Sequence, residues 1–453
     1  METQAPDRLA PSQPLFSRGS LTRLAGPLIA EQLLAMTIGM ADTIMVASVG
    51  EFAVSAVSLV DNISILLINI FSALCTGGAV VAAQYLGNRD GKSACAAAKQ
   101  LLYAVTVLSV LLMAVSLFFR RTILHLVFGE LASNVMGAAD TYFLITAFSY
   151  PFLAVYNAGA ALFRAMGNSK ISMLASLMMN LVNIGLNAVL IYGVGIGVAG
   201  AGFGTLVSRV AGAVLMTALI TRPRNPVHVE GLFRPQFRKD LVARILHIGV
   251  PNGLEGGMFQ VGKLLVLGLV TPLGTSATAA NAIAGSVASF INVPGMAISL
   301  ALITVVGQCM GAGEPVQAVL YTRKLMTVVY LSMGSLSVIL FFTAGPVAAL
   351  FGLTPAAAAM AAEVLRWCAV FSATFWPMAF SLPNVLRASG DVRFTMMVSL
   401  LSMWTFRIGF SYILVPRIGL LGVWIAMFID WVGRAAVFLT RFLRGRWKSK
   451  RVI

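Results

Sequence analysis

Pro27-Leu-Ile-Ala-Glu31 returns 224 residues later as Pro251-Asn-Gly-Leu-Glu255, and that recurrence decides the fold. Working outward at the same offset, Gly50 and Ala56 recur as Gly274 and Ala280, and Ala83-Gln84-Tyr-Leu-Gly87 aligns with Gly307-Gln308-Cys-Met-Gly311. One residue is then lost. Phe118-Phe119 and Phe128-Gly129 recur as Phe341-Phe342 and Phe351-Gly352, and Arg164-Ala165-x-Gly167 recurs as Arg387-Ala388-x-Gly390. The chain is therefore read as two homologous halves.

Both halves are apolar. Hydrophobic residues make up 58% of the chain and charged residues 11%, with a mean hydropathy of +0.89. A soluble globular chain carries roughly 25% charged residues. Runs near the ~20 residues that cross a bilayer fall at 24–48, 54–85, 97–118, 137–162, 171–193 and 198–220 in the first half. In the second they fall at 243–270, 277–307, 323–344, 358–384, 394–416 and 419–441. The expected fold is an all-α integral membrane protein of twelve transmembrane helices in two six-helix lobes. An even number of spans per half gives both the same orientation, so the pseudo-two-fold axis runs along the membrane normal. Residues 1–220 are read as the first lobe, 221–240 as a linker, 241–441 as the second lobe and 442–453 as a basic tail.

The net charge of +16 is distributed unevenly. With both termini in the cytoplasm, 24 of the 32 Lys and Arg residues fall on the inner side, and the outer loops hold only Arg120, Arg121 and Arg417. This is the positive-inside pattern of a multi-pass protein of the cell membrane. The tail from Arg441 to Arg451 is expected to face anionic lipid headgroups, with no nucleic-acid partner. The first span serves as signal anchor, because the first twenty residues lack an apolar core.

Several chemistries drop out. Cys75, Cys95, Cys309 and Cys368 form no CxxC, and His125, His228 and His247 are scattered, so no metal centre, cofactor or enzymatic constellation is expected. Gly195-x-Gly197-x-x-Gly200 lacks the strand and acidic residue of a dinucleotide site and reads as a turn with close helix packing through Gly200 and Gly204. The run Met173, Met178, Met179 reads as core or lipid-facing.

The informative residues are ionisable groups inside spans, each costly unless paired or wetted. Asp42 lies in the outer half of the first span, and a desolvated carboxylate is what proton or cation coupling requires. Asn180, Asn183 and Asn187 share one face of the fifth span and could complete a site around it. Glu31 and Glu255 each follow a helix-bending proline, Pro27 or Pro251, by four residues. Glu31 shares a helix face with Asp42, about 16 Å away. The two glutamates are read as carboxylates facing a central cavity, where they would attract a cationic substrate, against the plainer reading of a brace at each proline. At the positions matching Asn183, Asn187 and Asp42 the second lobe has Arg407, Ser411 and Val266. Arg407 and Asp430 are expected to form a structural ion pair. Asp61 and Lys263 are left unassigned.

At these residues the chain resembles the multidrug and toxic compound extrusion family over nearly its whole length. The resemblance is carried by Gly26-Pro27, Asp42-Thr-Ile-Met-Val46, Gly77-Gly78, Ala83-Gln84-Tyr-Leu-Gly87, Arg164-Ala-Met-Gly167, Asn183-Ile-Gly-Leu-Asn187 and Arg387-Ala-Ser-Gly390. It implies an antiporter that exports organic cations or amphiphilic drugs by alternating access, with Asp42 as the coupling carboxylate; a monomer is expected. It departs from some branches in having Asn187 in place of an aspartate, Phe259 in place of an acidic residue, and no acid in Phe375-Trp-Pro-Met-Ala-Phe380. A proton needs one carboxylate, whereas sodium needs several oxygens, so H+ is the expected coupling ion, with Na+ held by Asp42, Asn183 and Asn187 as the alternative. A flippase for lipid-linked precursors would need a cationic cavity, and Arg407 and Lys263 leave that reading open.

Overall fold

The computed structural model describes residues 14–129, 132–232, 234 and 236–453. The first lobe contains α1 (Arg18–Ala47), α2 (Glu51–Gly87), α3 (Gly91–Phe128), α4 (Ser133–Phe148), α5 (Tyr150–Ala165), α6 (Ser169–Asn187) and α7 (Gly197–Ile220). The second contains α8 (Lys239–Val270), α9 (Thr275–Gly311), α10 (Pro315–Ala349), α11 (Pro355–Thr374), α12 (Pro383–Ser389), α13 (Val392–Ser402), α14 (Phe410–Ile418) and α15 (Leu420–Leu443). Among the described residues, eleven helices, counting each with its π-helical or 3-10 extension, are long and apolar enough to cross a membrane. α4 and α5, bent by 47° at Ser149, form a twelfth span. The twice-six helical plan is thus the observed one.

Side-chain caps start several helices. Ser17 accepts from the Ser20 amide, Asp90 from Ser93 and Thr354 from Ala357, each filling one of the donors that a helix start leaves open. Pro27 and Pro251 lie inside α1 and α8. A proline removes the bond to the carbonyl four residues earlier. At Pro27 that carbonyl belongs to Arg23, and the Ser169 hydroxyl reaches it at 3.3 Å and the neighbouring Leu24 carbonyl at 2.6 Å.

The two cores exchange helix ends. Leu21, Leu24, Ala25 and Leu28 of α1 pack into the core of the second lobe, whereas Val46, near the other end of α1, packs into the first. α8 mirrors this: Leu241, Ile245 and Ile248 sit in the first lobe's core, and Val266 and Val270 in the second's. Pro251 lies between the two sets on α8, whereas Pro27 lies within the α1 stretch that packs on the second lobe's core.

The repeated glutamines and glycines join the lobes at one end. Gln84 Nε2 donates to the Ala388 carbonyl at 2.8 Å, and Gln308 Nε2 donates to that of Ala165 at 2.7 Å. A Cβ on Gly87 would strike the Gln308 carbonyl, and one on Gly311 would strike that of Gln84. Only glycine lets α2 and α9 cross this closely. The tail caps the junction, with Arg451 donating to the Met310 and Gly311 carbonyls at 3.0 and 2.6 Å. The Val452 amide donates to Gln84 Oε1 at 3.0 Å.

Candidate functional site

The first lobe gathers a polar cluster between α1 and α6. Asn187 Nδ2 donates to Asp42 Oδ1 at 2.8 Å. The Asn183 amide, oriented to satisfy its neighbours, donates to Oδ1 at 2.8 Å and Oδ2 at 3.3 Å. Asp42 is thus held by two amide donors one turn apart on one helix face. Thr205 of α7 lies 3.4 Å from the Asn183 amide. Gly204 makes this possible, since a Cβ there would overlap Asn187 Oδ1. The close packing expected at Gly200 and Gly204 is what the structure contains: a Cβ on Gly200 would come within 3.0 Å of Leu190. A π-helical turn, Ala188–Gly193, begins directly after Asn187; such turns collect at functional positions.

Asn180 does not join the cluster; it donates to Ser176 at 3.3 Å. Three groups that the sequence could not assign to the site lie near it instead. The Tyr142 hydroxyl donates to Asp61 Oδ1 at 3.4 Å, and Arg209 donates to Ser149 Oγ at 2.7 Å. Asp61 and Arg209 both act electrostatically on Asp42. They come from α2 and α7, so no spacing along one helix could have linked them.

Glu31 and Glu255 do not serve as free carboxylates in a cavity, and that expectation is corrected. Glu31 accepts from Arg164 at 2.9 Å and from the Ser172 hydroxyl at 2.7 Å. Glu255 accepts from Arg387 at 2.6 Å. Each repeated acid is neutralised by a repeated arginine, which is the brace reading. The first-lobe brace satisfies both carboxylate oxygens; in the second, Glu255 Oε2 and Arg387 Nε are buried without a partner.

The Arg407–Asp430 pair is likewise replaced. Asp430 Oδ1 accepts from Arg434 at 2.8 Å and from Ser402 at 2.5 Å, all fully buried or nearly so. Arg434 lies four residues along the same helix, where side chains meet without help from a second element. Arg407 instead donates to the Met427 sulfur at 3.1 Å, and its Nε is buried without a partner.

Between the lobes, chiefly against the second, lies a cavity of about 1140 Å³. Its aromatic wall is Phe259, Trp376, Phe380, Trp424 and Trp431. Lys263 and Arg407 are its charged lining groups, and no carboxylate lines it among the described residues. Met173, Met178 and Met179 are absent from the lining, and Met179 packs at the first lobe's core.

A family model described as MatE matches residues 27–189 and again 251–413, one copy per half. The chain is similar to “Probable multidrug resistance protein NorM” of Thermotoga maritima, 26% identical over 445 residues, 96% of this chain and 94% of that protein. It is also similar to “Uncharacterized transporter YisQ” of Bacillus subtilis, 26% identical over 453 residues, 97% of this chain and 95% of the relative. A MATE crystal structure in the bent conformation shares the fold with a TM-score of 0.87 at 21% identity, over 94% of each chain.

Proposed function

The chain belongs to the multidrug and toxic compound extrusion (MATE) family, and from that premise we propose that it is a secondary antiporter of the cell membrane. It exports amphiphilic compounds in exchange for entering H+ by alternating access between the lobes. The observation that carries this reading is the hold of Asn187 and Asn183 on Asp42. An ionised carboxylate accepts both amide donors. A protonated one brings its own O–H toward an NH2 group and loses a bond, so protonation loosens α1 from α6. α1 transmits the change, because its other end is embedded in the opposite core beyond Pro27. Loss or gain of that contact biases a two-state lobe arrangement.

The joined end, at Gly87 and Gly311, is assigned to the cytoplasm because Arg89, Lys92, Arg323 and Lys324 cluster just beyond it. The lobes are then closed to the cytoplasm and both termini lie inside. H+ is favoured over Na+ because one carboxylate and neutral amides suffice for a proton. Asp42, Asn183, Asn187 and the Thr205 hydroxyl would be the oxygen donors for sodium. Organic-cation cargo was expected from the family resemblance and from Glu31 and Glu255, and the second support falls away because both glutamates are spent on arginines.

The test is export of a fluorescent amphiphile from loaded proteoliposomes under a pH gradient alone, then a sodium gradient alone. The proposal expects export with the first and none with the second. Export driven by sodium with the pH gradient collapsed would replace the proton with sodium. Absence of export under either gradient would refute antiport.

A further inference from the structure

We infer that the second-lobe cavity is a receptor for amphipathic anions, solutes with an aromatic or alkyl body ending in a carboxylate, sulfonate or phosphate. This rests on the export reading and names its cargo. Lys263 and Arg407 receive the head, and the Trp376, Phe380 and Trp424 rings take the body.

The donors of this wall lack acceptors. Arg407 has only a thioether, a weak acceptor, on one nitrogen, and its Nε is buried with no partner. Trp431 Nε1, on the same lining, is also buried and unpartnered. Among the described residues no carboxylate lies within 4.0 Å of Lys263 or Arg407. The nearby acids pair with other arginines, Asp430 Oδ1 with Arg434 and Glu255 Oε1 with Arg387, and although Asp430 Oδ2 and Glu255 Oε2 are left without a partner, neither acid lines the cavity. Lys263 is exposed to the cavity and Arg407 is half-buried, yet a cation inside a membrane span ordinarily carries a partner of its own. Here that partner is left for a ligand to supply.

Aromatic ring faces as a class attract cations. Phe259 excludes that locally, because the protein's own cations already occupy it. Lys263 Nζ and Arg407 Cζ each stand 5.3 Å from its centroid, and Arg434 Cζ stands at 5.6 Å. A cationic ligand would enter beside Lys263 and Arg407, with no carboxylate on the cavity lining among the described residues. A guanidinium next to an ammonium suits the planar oxygens of a carboxylate, sulfonate or phosphate. The volume, about 1140 Å³, accommodates a drug-sized body.

Charge movement follows from the assignment. One anion leaving against one proton entering carries positive charge inward twice, so an interior-negative potential speeds export. One-for-one exchange of a cation for a proton is electroneutral and indifferent to potential.

The test uses the full chain in zwitterionic lipid nanodiscs and needs no gradient. A naphthalenesulfonate and a naphthyl-trimethylammonium of matched size are titrated, with a short-chain lysophosphatidate as a third probe. The sulfonate or the lysophosphatidate is expected to bind at least about tenfold more tightly than the ammonium (~1.4 kcal/mol). Preference for the sulfonate identifies a dissolved solute, preference for the lysophosphatidate a lipid source; both uphold an anion receptor. The paired change Lys263→Gln with Arg407→Gln should remove the preference, and Arg407→Lys should restore part of it. Equal or tighter ammonium binding by the unaltered protein overturns the inference, whatever the variants do, and so does anion binding unchanged in the folded double variant. Anion-selective binding without gradient-driven export would refute the export reading while leaving the receptor standing; export confined to the ammonium would do the reverse.

Discussion

The two lobes share a scaffold and part company at their polar residues inside the spans. The repeated residues, Gln84 and Gln308, Gly87 and Gly311, Glu31–Arg164 and Glu255–Arg387, form the closed end and its braces. The diverged ones form the sites. Where the first lobe sets Asp42 among Asn183 and Asn187, the second has Val266, Arg407 and Ser411. One lobe thus carries an acid held by amides, and the other carries cations among aromatic rings. What the halves kept in common joins the lobes at Gln84, Gly87, Gln308 and Gly311 and braces each lobe internally; what they changed are the residues to which the proposals assign ion and cargo binding.

The sharpest break of that comparison is Asp42→Asn. It is isosteric and removes a charge from the membrane interior, so insertion and folding should survive. Gradient-driven export should fall to the protein-free background. Matched export by the variant, at equal reconstituted amounts, would move coupling out of the first lobe.

The braces come next. Glu31→Gln leaves Arg164 with its only ion-pair partner gone, and losing one member of a buried pair costs about 3–5 kcal/mol. Glu255→Gln should cost less, because Glu255 Oε2 and Arg387 Nε are already unsatisfied. Thermal unfolding in detergent ranks the two, and the reverse order would mean the first-lobe brace is not the tighter one.

A third comparison separates Arg434 from Arg407. Arg434→Met strands Asp430 and should lower stability by about 3 kcal/mol, whereas Arg407→Met should change it by under about 1 kcal/mol. Equal losses would restore the Arg407–Asp430 pair.

The smallest effect concerns the tail. Arg451→Ala removes two hydrogen bonds to the end of α9 and should loosen the closed end by about 1 kcal/mol. Spin-label distances across α2 and α9 would register a few-fold gain in the open population. An unchanged distribution would make the tail a passenger.

Much of the scaffold was legible in the sequence because backbone contacts demand particular residues. Glycine at 87 and 311 and glutamine at 84 and 308 recur because two helices must touch and bond at the same place in both halves. Asp42 with Asn183 and Asn187 was legible from helical periodicity. Periodicity also overreached: Asn180 and Asn187 share a face but stand about 10 Å apart along it, so one carboxylate cannot serve both. The glutamates were misplaced because periodicity gives a face and not the partner across it, although the offset that repeats the acids also repeats Arg164 and Arg387. Arg434, four residues from Asp430, was the nearer choice by spacing alone. Asp61 stood out as a charge inside a span but could not be assigned, and Tyr142 and Arg209 could not be linked to it, since each comes from a different helix.

Coupling between the Asp42 cluster and the distant cavity is the central claim, and linkage makes it measurable without transport. Proton release is followed in weakly buffered nanodiscs near neutral pH as the tightest-binding naphthalene probe is added. The account predicts net release on binding by the unaltered protein and none by Asp42→Asn, with probe binding retained. Release that persists undiminished in Asp42→Asn, or its absence from the unaltered protein, would contradict it.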